Sequence, residues 1–509
     1  MKIPVRSVTV ALAAGVCAGA LATAPADAAD LNSITSFDGV KITFYWFPAV
    51  GLAPGETAPT VLQGPGFGGQ AEDDPDAKSG TSIPGVGPLR QAGYNVLTWN
   101  PRGISPSGGV AMLDNPNYEG RDVSELIDWV ATQPEAKLDA SGDPRVGMTG
   151  GSYGGGIQFS TAGIDHRLDA IVPVIAWNSL ATSLYKEDTI KTAWINALMA
   201  GATKPGNHFS PNILAGRKQA KKGDTFSPRV VNFAKSAGPY QVLPQITTPT
   251  LIIQGTVDNL FPLTESIANY KALKATGVPL KMIWFCGGHG LCQTKGGDST
   301  FPVDQTWTWL DKYLKGNSSA DTGPAFSWID QNGVYRTASD YPVSTGTLKA
   351  SGKGTLAVKN KGGAGPYNGK LPSGISPVTA LVLRPTIPTP AKNAVSVKLR
   401  AKKQAVIVGE PKVSLTYKGK APAKKDRVLA QIVDPASKSV VGHAITPVPV
   451  RLNGKKHKIT LPLEAISFDL AKGKSLELQL VSQSSAYNVF PKGGSVKFSR
   501  IALTLPTMG

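Results

Sequence analysis

Cysteine is almost missing from this chain, with three residues in 509. A scaffold built on disulfides is therefore excluded. Histidine is also scarce, at five residues, so few side chains are available as an imidazole base or metal ligand. Long apolar runs are absent beyond the N-terminus. The one at 8–21 is shorter than the roughly 20 residues a membrane span needs, so no spanning segment is expected. Acidic residues are thin in the last third: residues 349–509 hold 27 Lys and Arg against 6 Asp and Glu, a net charge of +21, whereas residues 1–348 come to −3. With 56 glycines and 40 prolines over this length, two domains are expected rather than one core.

The N-terminus carries Lys2 and Arg6, then the apolar run, then Ala26-Asp27-Ala28. This is the layout of a signal peptide covering residues 1–28, so a secreted, extracellular or envelope-associated protein is expected. Lipidation of Cys17 fits less well, because Val16 stands where a small residue is wanted. Without the leader, Cys286 and Cys292 are the remaining thiols, and in an oxidising compartment a disulfide is the default. A zinc site from C-x2-H-x2-C would lack a fourth ligand. No cofactor or metal is called for. The acidic run "EDDPD" reads as a solvated loop rather than a calcium loop.

Short apolar runs at 40–47, 60–63, 95–99, 145–149, 170–175, 250–254 and 280–285 alternate with amphipathic stretches. Several lack period-two alternation, as strands covered on both faces do. The order implies an α/β fold with a parallel sheet. The run "RVGMT" passes directly into "GGSYGGG", a G-x-S-x-G with Gly150, Ser152 and Gly154. A serine on a sharp strand-to-helix turn needs small residues two before and two after it, so that neighbouring backbones can pass. Such a nucleophile requires an acid and then a histidine downstream. Asp258 follows "TLIIQG" after 106 residues, and His289 follows "LKMIWF" after a further 31. The glycine-rich loop in "PTVLQGPGFGG" stands where a backbone oxyanion donor is expected, which nominates the amides of Phe67 and Tyr153.

These segments, together with "WNPRG", "PVIAWNSL" and "PQITTPTLIIQGTVDNLFP", resemble the peptidase S15 group of X-Pro dipeptidyl-peptidases and cocaine-esterase-like (CocE/NonD) acyl hydrolases. The resemblance implies an α/β-hydrolase domain over 29–318, a helical lid insertion at about 178–245 and a jelly-roll β-sandwich over 319–509. Family roles pass to Ser152, Asp258 and His289. Acyl hydrolases of the group place a tyrosine hydroxyl in the oxyanion hole on the loop that here carries Phe67, so backbone donors must suffice. Residues that would bind a substrate amine are not located. Trp177, Trp194 and Leu198 are candidates for the substrate pocket, though Trp194, Ile195, Leu198 and Met199 of "TAWINALMAGA" could equally form the lid helix's own core.

The C-terminal part reads as a sandwich on its own evidence. "ALVLRP", "VSVKLRA", "KVSLTYKG", "RVLAQIVD", "HKITLPL", "SLELQLVS" and "VKFSRIALTLP" are short alternating runs between turn residues. Lysine and arginine fall on the outward positions. Solubility and protection of sheet edges is one reading; adhesion to an anionic cell-envelope polymer is the other. Nucleic acid is not expected, because no aromatic residues interleave with the basic ones. The function expected is a serine hydrolase acting on a small ester or short peptide. The alternative is an envelope-binding protein with a vestigial hydrolase half.

Overall fold

Strands buried on both faces are apolar for most of their length, and the centre of the first sheet consists of such strands, with the few buried polar residues such as Asn95, Gln254 and Lys281 hydrogen-bonded. A computed structural model describes residues 30–508 except 224, 372–374, 376 and 488–492. The expected leader and Cys17 lie outside the described residues. Strands β1 (Leu31–Thr35), β2 (Lys41–Phe47), β3 (Thr60–Gln63) and β4 (Asn95–Asn100) precede a short hairpin, β5 (Leu138–Ala140) and β6 (Asp143–Pro144). Then come β7 (Val146–Gly151), β8 (Leu168–Val174), β9 (Thr250–Gly255), β10 (Leu280–Phe285), β11 (Phe326–Ile329) and β12 (Tyr335–Ala338). Their order in the sheet is β1-β2-β4-β3-β7-β8-β9-β10-β11-β12. The run from β4 to β11 is parallel, with antiparallel strands at both edges.

Helices α1 (Val86–Gln91), α2 (Arg121–Val130) and α3 (Tyr153–Ala162) follow β3, β4 and β7. Helix α2 buries Val123, Leu126, Ile127 and Val130 along one apolar stripe. Residues 178–245, where a lid insertion is expected, hold helices α4 (Leu180–Leu184), α5 (Thr192–Ala202), α6 (Pro211–Lys222) and α7 (Pro228–Ser236). Their boundaries follow local chemistry. Ser179, Ser210 and Ser227 cap backbone amides, proline opens α6 and α7, and Gly223 closes α6 at φ 78° behind Lys221 and Lys222. Helices α8 (Leu263–Lys274) and α9 (Phe301–Tyr313) complete the layers.

The sheet runs beyond residue 318. Strand β11 pairs with β10, and β12 with β11, so the first sheet ends at Ala338 and the sandwich begins after it. The sandwich is antiparallel: β13 (Gly346–Ala357), β14 (Ala394–Arg400), β15 (Ala405–Gly409), β16 (Lys412–Asp434), β17 (Ser439–Pro462), β18 (Ile466–Leu470), β19 (Ser475–Val481) and β20 (Ser495–Thr507). Strand β16 pairs with β20 along 412–420 and with β19 along 429–433, so one bent strand serves both layers. In β14, Val395, Val397 and Leu399 point inward while Lys398 and Arg400 are exposed. "ALVLRP" is not a strand. Pro377 starts helix α10 (Pro377–Leu383), and Leu383 packs with Trp194 and Leu198 of the lid while Leu381 stays exposed.

Candidate active site

Three side chains from the C-terminal ends of β7, β9 and β10 meet above the sheet, where ligands of open parallel sheets gather. Ser152 sits between β7 and α3 at φ 57°, ψ −115°, a strained conformation for a residue with a Cβ. The strain is enforced by close packing on both sides. A Cβ on Gly150 would lie 2.7 Å from the Gly154 carbonyl oxygen, and one on Gly154 would lie 2.1 Å from that of Gly64. Gly64 belongs to the loop that carries Phe67, so the same contact that needs glycine draws this loop against the turn.

His289 Nε2 is 2.7 Å from Ser152 Oγ, and its Nδ1 is 2.7 Å from Asp258 Oδ2. Asp258 Oδ2 also accepts the His289 amide at 3.1 Å, and Oδ1 accepts the amides of Leu260 and Phe261 at 3.0 and 2.9 Å. The carboxylate is thus fully buried, with both oxygens satisfied. Phe261 and Trp194 stand edge-on to the imidazole, with ring centroids 5.1 and 5.9 Å away. Cys286 and Cys292 are at bonding distance, with Cα atoms 5.4 Å apart, and close the loop around His289.

Tyr153 is the first residue of α3, so its amide is one of the unpaired donors at a helix N-terminus. Its hydroxyl points away from Ser152 into the core, 3.2 Å from Glu119 Oε1, and accepts the Asp114 amide at 3.4 Å. Burial pushes the Glu119 carboxyl up to about 7 and Asp114 well above its usual range. This buried polar group fixes the tyrosine and, with it, the first turn of α3. No spacing rule in the sequence pointed to it.

The pocket candidates separate. Leu198 lines an apolar cavity of about 90 Å³ within the lid, with Phe67, Leu113, Leu184, Ile195 and Met199. Trp194 contacts His289 and donates its indole N–H to Asn259 Oδ1 at 2.7 Å. Trp177 is fully buried against Phe261 and Gly156, beneath the elbow helix, and does not line that cavity. A cleft of about 520 Å³ lies on the other side of the His289 loop, between Gln293, Thr294 and Lys295 and the sandwich segment around His443.

The sandwich also supports the site. His443 Nε2 pairs with Gln293 Oε1 at 3.2 Å, its carbonyl accepts Asn259 Nδ2 at 3.4 Å, and burial lowers its ring to about 4, leaving it neutral. Gly442 comes so close to Thr256 that a Cβ would lie 2.9 Å from its carbonyl oxygen. Deeper in the interface, Glu464 accepts Lys186 Nζ at 2.6 Å and the Thr264 hydroxyl. A small cavity there is lined by Glu464, Tyr487 and the buried Lys191, whose Nζ donates to the Leu260 carbonyl at 3.1 Å. Lys191 therefore holds the peptide segment whose amides hold Asp258. Burial lowers Lys191 to about 8, against the pull of Glu464. Among the described residues, no group of three His, Cys, Asp or Glu could hold a metal ion, and no helix is long and apolar enough to cross a membrane.

A family model described as X-Pro dipeptidyl-peptidase (S15 family) matches residues 38–290. The acylamino-acid-releasing enzyme of Rattus norvegicus is 24% identical over 226 residues, 43% of this chain and 28% of its own. The chain thus spans less than a third of that relative. Among solved structures, a CocE/NonD family hydrolase from Staphylococcus aureus superposes with a TM-score of 0.68 at 14% identity, over 94% of this chain and 93% of its own. An alpha-amino acid ester hydrolase gives 0.70 at 14% identity, over 97% and 100%. These two likenesses carry the fold, hydrolase unit and sandwich together. Through residues 38–290 the chain belongs to the S15 family of α/β-hydrolases, serine hydrolases of the peptidase and esterase type.

Proposed function

We propose that this chain is an exported serine hydrolase that opens an ester or amide bond through an acyl-enzyme on Ser152. One observation carries the reading: the unbroken hydrogen-bonded series Asp258, His289, Ser152, 2.7 Å at each side of the imidazole, on a strained strand-to-helix turn. His289 Nε2 takes the hydroxyl proton as Oγ attacks the carbonyl carbon, and Asp258 keeps the proton on Nδ1 and stabilises the imidazolium. The oxyanion develops beside the amides of Tyr153 and Phe67, the first of them at a helix N-terminus. Collapse expels the alcohol or amine, which takes the proton back from His289. Water then repeats the sequence on the acyl-enzyme and frees the acid.

The lid cavity supports an apolar acyl group. Among the described residues its lining contains no carboxylate to pair with a substrate's free α-amine, which favours simple acyl esters or amides over Xaa-Pro peptides. Export is supported by the leader-like residues 1–28 and by the cysteine pair. It would bring the basic sandwich among anionic envelope polymers. The alternative, a polymer-binding protein with a vestigial hydrolase half, is disfavoured by the complete hydrogen-bonded set. Labelling of the protein with a fluorophosphonate, with Ser152→Ala as control, tests the nucleophile. A panel of p-nitrophenyl esters beside Xaa-Pro arylamides tests the substrate. Equal labelling of Ser152→Ala would sink the mechanism.

A further inference from the structure

The basic charge of the sandwich is not spread evenly. It is concentrated on four adjacent strands, β13, β20, the first half of β16 and the second half of β17. Residues 346–357, 495–507, 412–425 and 451–462 contain not one Asp or Glu. The strand register turns this composition into a pattern. Lys497 stands directly opposite Lys418, and Lys418 directly opposite Lys456, so three lysines form one row across three neighbouring strands. Two residues along, Arg500, Thr416 and Lys458 form the next row. Further on, Lys412 and Lys349 both stand opposite Thr504. Their neighbours Val413, Leu415 and Tyr417 are buried, so these cations share the solvent face, and the named lysines and Arg500 are all exposed.

Like charges directly opposite one another destabilise a sheet, and solvent faces ordinarily pair opposite signs. Lysine at a sheet edge has a protective role, because it blocks pairing with other chains. That role does not explain Lys418 and Lys497, since β16 lies between β17 and β20, and β20 between β16 and β13. Among the described residues none of these cations is paired with a carboxylate. Rows about 4.8 Å apart between strands and about 6.8 Å apart along them make a lattice of point charges. Lysine dominates over arginine, which suits a repeated, loosely held anion rather than one bidentate phosphate. The aromatic residues of these strands, Tyr417 and Phe498, face the core, so no platform for stacking bases is offered.

We propose that the outer face of β13, β20, β16 and β17 is a docking surface for a base-free phosphodiester polymer of the cell exterior, such as a glycerol-phosphate chain. The choice of ligand rests on the proposed export; the charged face itself does not. The test uses the whole protein and poly(glycerol phosphate), with affinity followed against salt concentration. Each phosphate neutralised on a flexible strand contributes about −0.7 to the slope of log K against log salt. Lys418→Gln, Lys456→Gln and Lys497→Gln together should therefore flatten the slope by about 2 and weaken binding at least tenfold. Turnover of a small ester should be unchanged, and the melting temperature equal or higher, as repulsion is relieved. Lys402→Gln, Lys403→Gln and Lys472→Gln, exposed lysines elsewhere on the sandwich, should leave the slope within 0.5 of the wild type. Equal loss in both triple variants would overturn the site in favour of net charge alone. Tighter binding of a single-stranded oligonucleotide of equal charge would overturn the ligand. Cell fractionation tests export separately.

Discussion

Replacing Glu464 by Gln removes one carboxylate from an interface where two lysines depend on it. Lys186 is bonded to Glu464 with its side chain 20% exposed, while Lys191 is buried and has a single carbonyl partner. Removing one member of a buried ion pair costs about 3–5 kcal/mol, because the other charge stays behind. With an unfolding entropy of about 2.1 cal/mol/K per residue, a chain of this length gains about 1 kcal/mol per degree, so the melting temperature should fall by about 3–5 °C. The pH dependence adds a sign. Burial alone would raise Glu464, but Lys186 and Lys191 outweigh it and hold it below its usual range. Its contribution is therefore present above the unfolded carboxylate value and is lost as pH falls through the folded one. Lys191 is lowered instead, so its charged form costs stability below about 8, and that cost disappears as it deprotonates. The deficit of Glu464→Gln should thus be largest near neutral pH and shrink toward both acid and alkali. Thermal denaturation from pH 4 to 10 measures it. Adding Lys191→Met should recover part of the loss. An unchanged melting temperature at pH 7, or a double variant no better than the single one, would refute the reasoning.

Gly154→Ala should lower kcat at least a hundredfold while the protein stays folded, since the new methyl meets the Gly64 carbonyl and pushes the Phe67 loop from its place; kinetics and circular dichroism on one preparation decide it. Phe67→Tyr should keep kcat within about tenfold, because the ring packs against Tyr153 and Phe209 in an apolar wall and an added hydroxyl there has no reacting centre to meet. A larger gain in kcat would place the ring in the oxyanion hole after all. Reduction of Cys286 and Cys292 should lower kcat by loosening the His289 loop, while a ring this small is worth about 2 kcal/mol or less and moves the melting temperature little. Titration of free thiols before and after reduction accompanies the rate measurement.

The parallel strands could be read from the sequence because burial on both faces leaves mostly apolar runs without period-two alternation. The order of Ser152, Asp258 and His289 could be read because each follows such a run. What escaped the reading had no periodic signature. The strand at 326–329 has four residues, one of them Ser327, and its apolar character shows only once β10 lies beside it. "ALVLRP" has four apolar residues in succession, which fit strand and helix alike, and contact with the lid decides for the helix. Trp177, a candidate for the pocket, instead fills with its ring the space that Gly156 leaves beneath α3. Lys186 and Glu464 are 278 residues apart, and no local pattern announces a pair at that separation.

Every residue of the hydrogen-bonded set at Ser152 precedes position 290, yet Gly442, His443 and Glu464, which brace its loops, are made much later. The sandwich that holds them is closed by β20, the last strand, which joins β13, β15 and β16. During synthesis Ser152, Asp258 and His289 are therefore joined to the chain before the residues that brace their loops. Bracing of the loops around Ser152 thus waits for segments that are synthesised well after them.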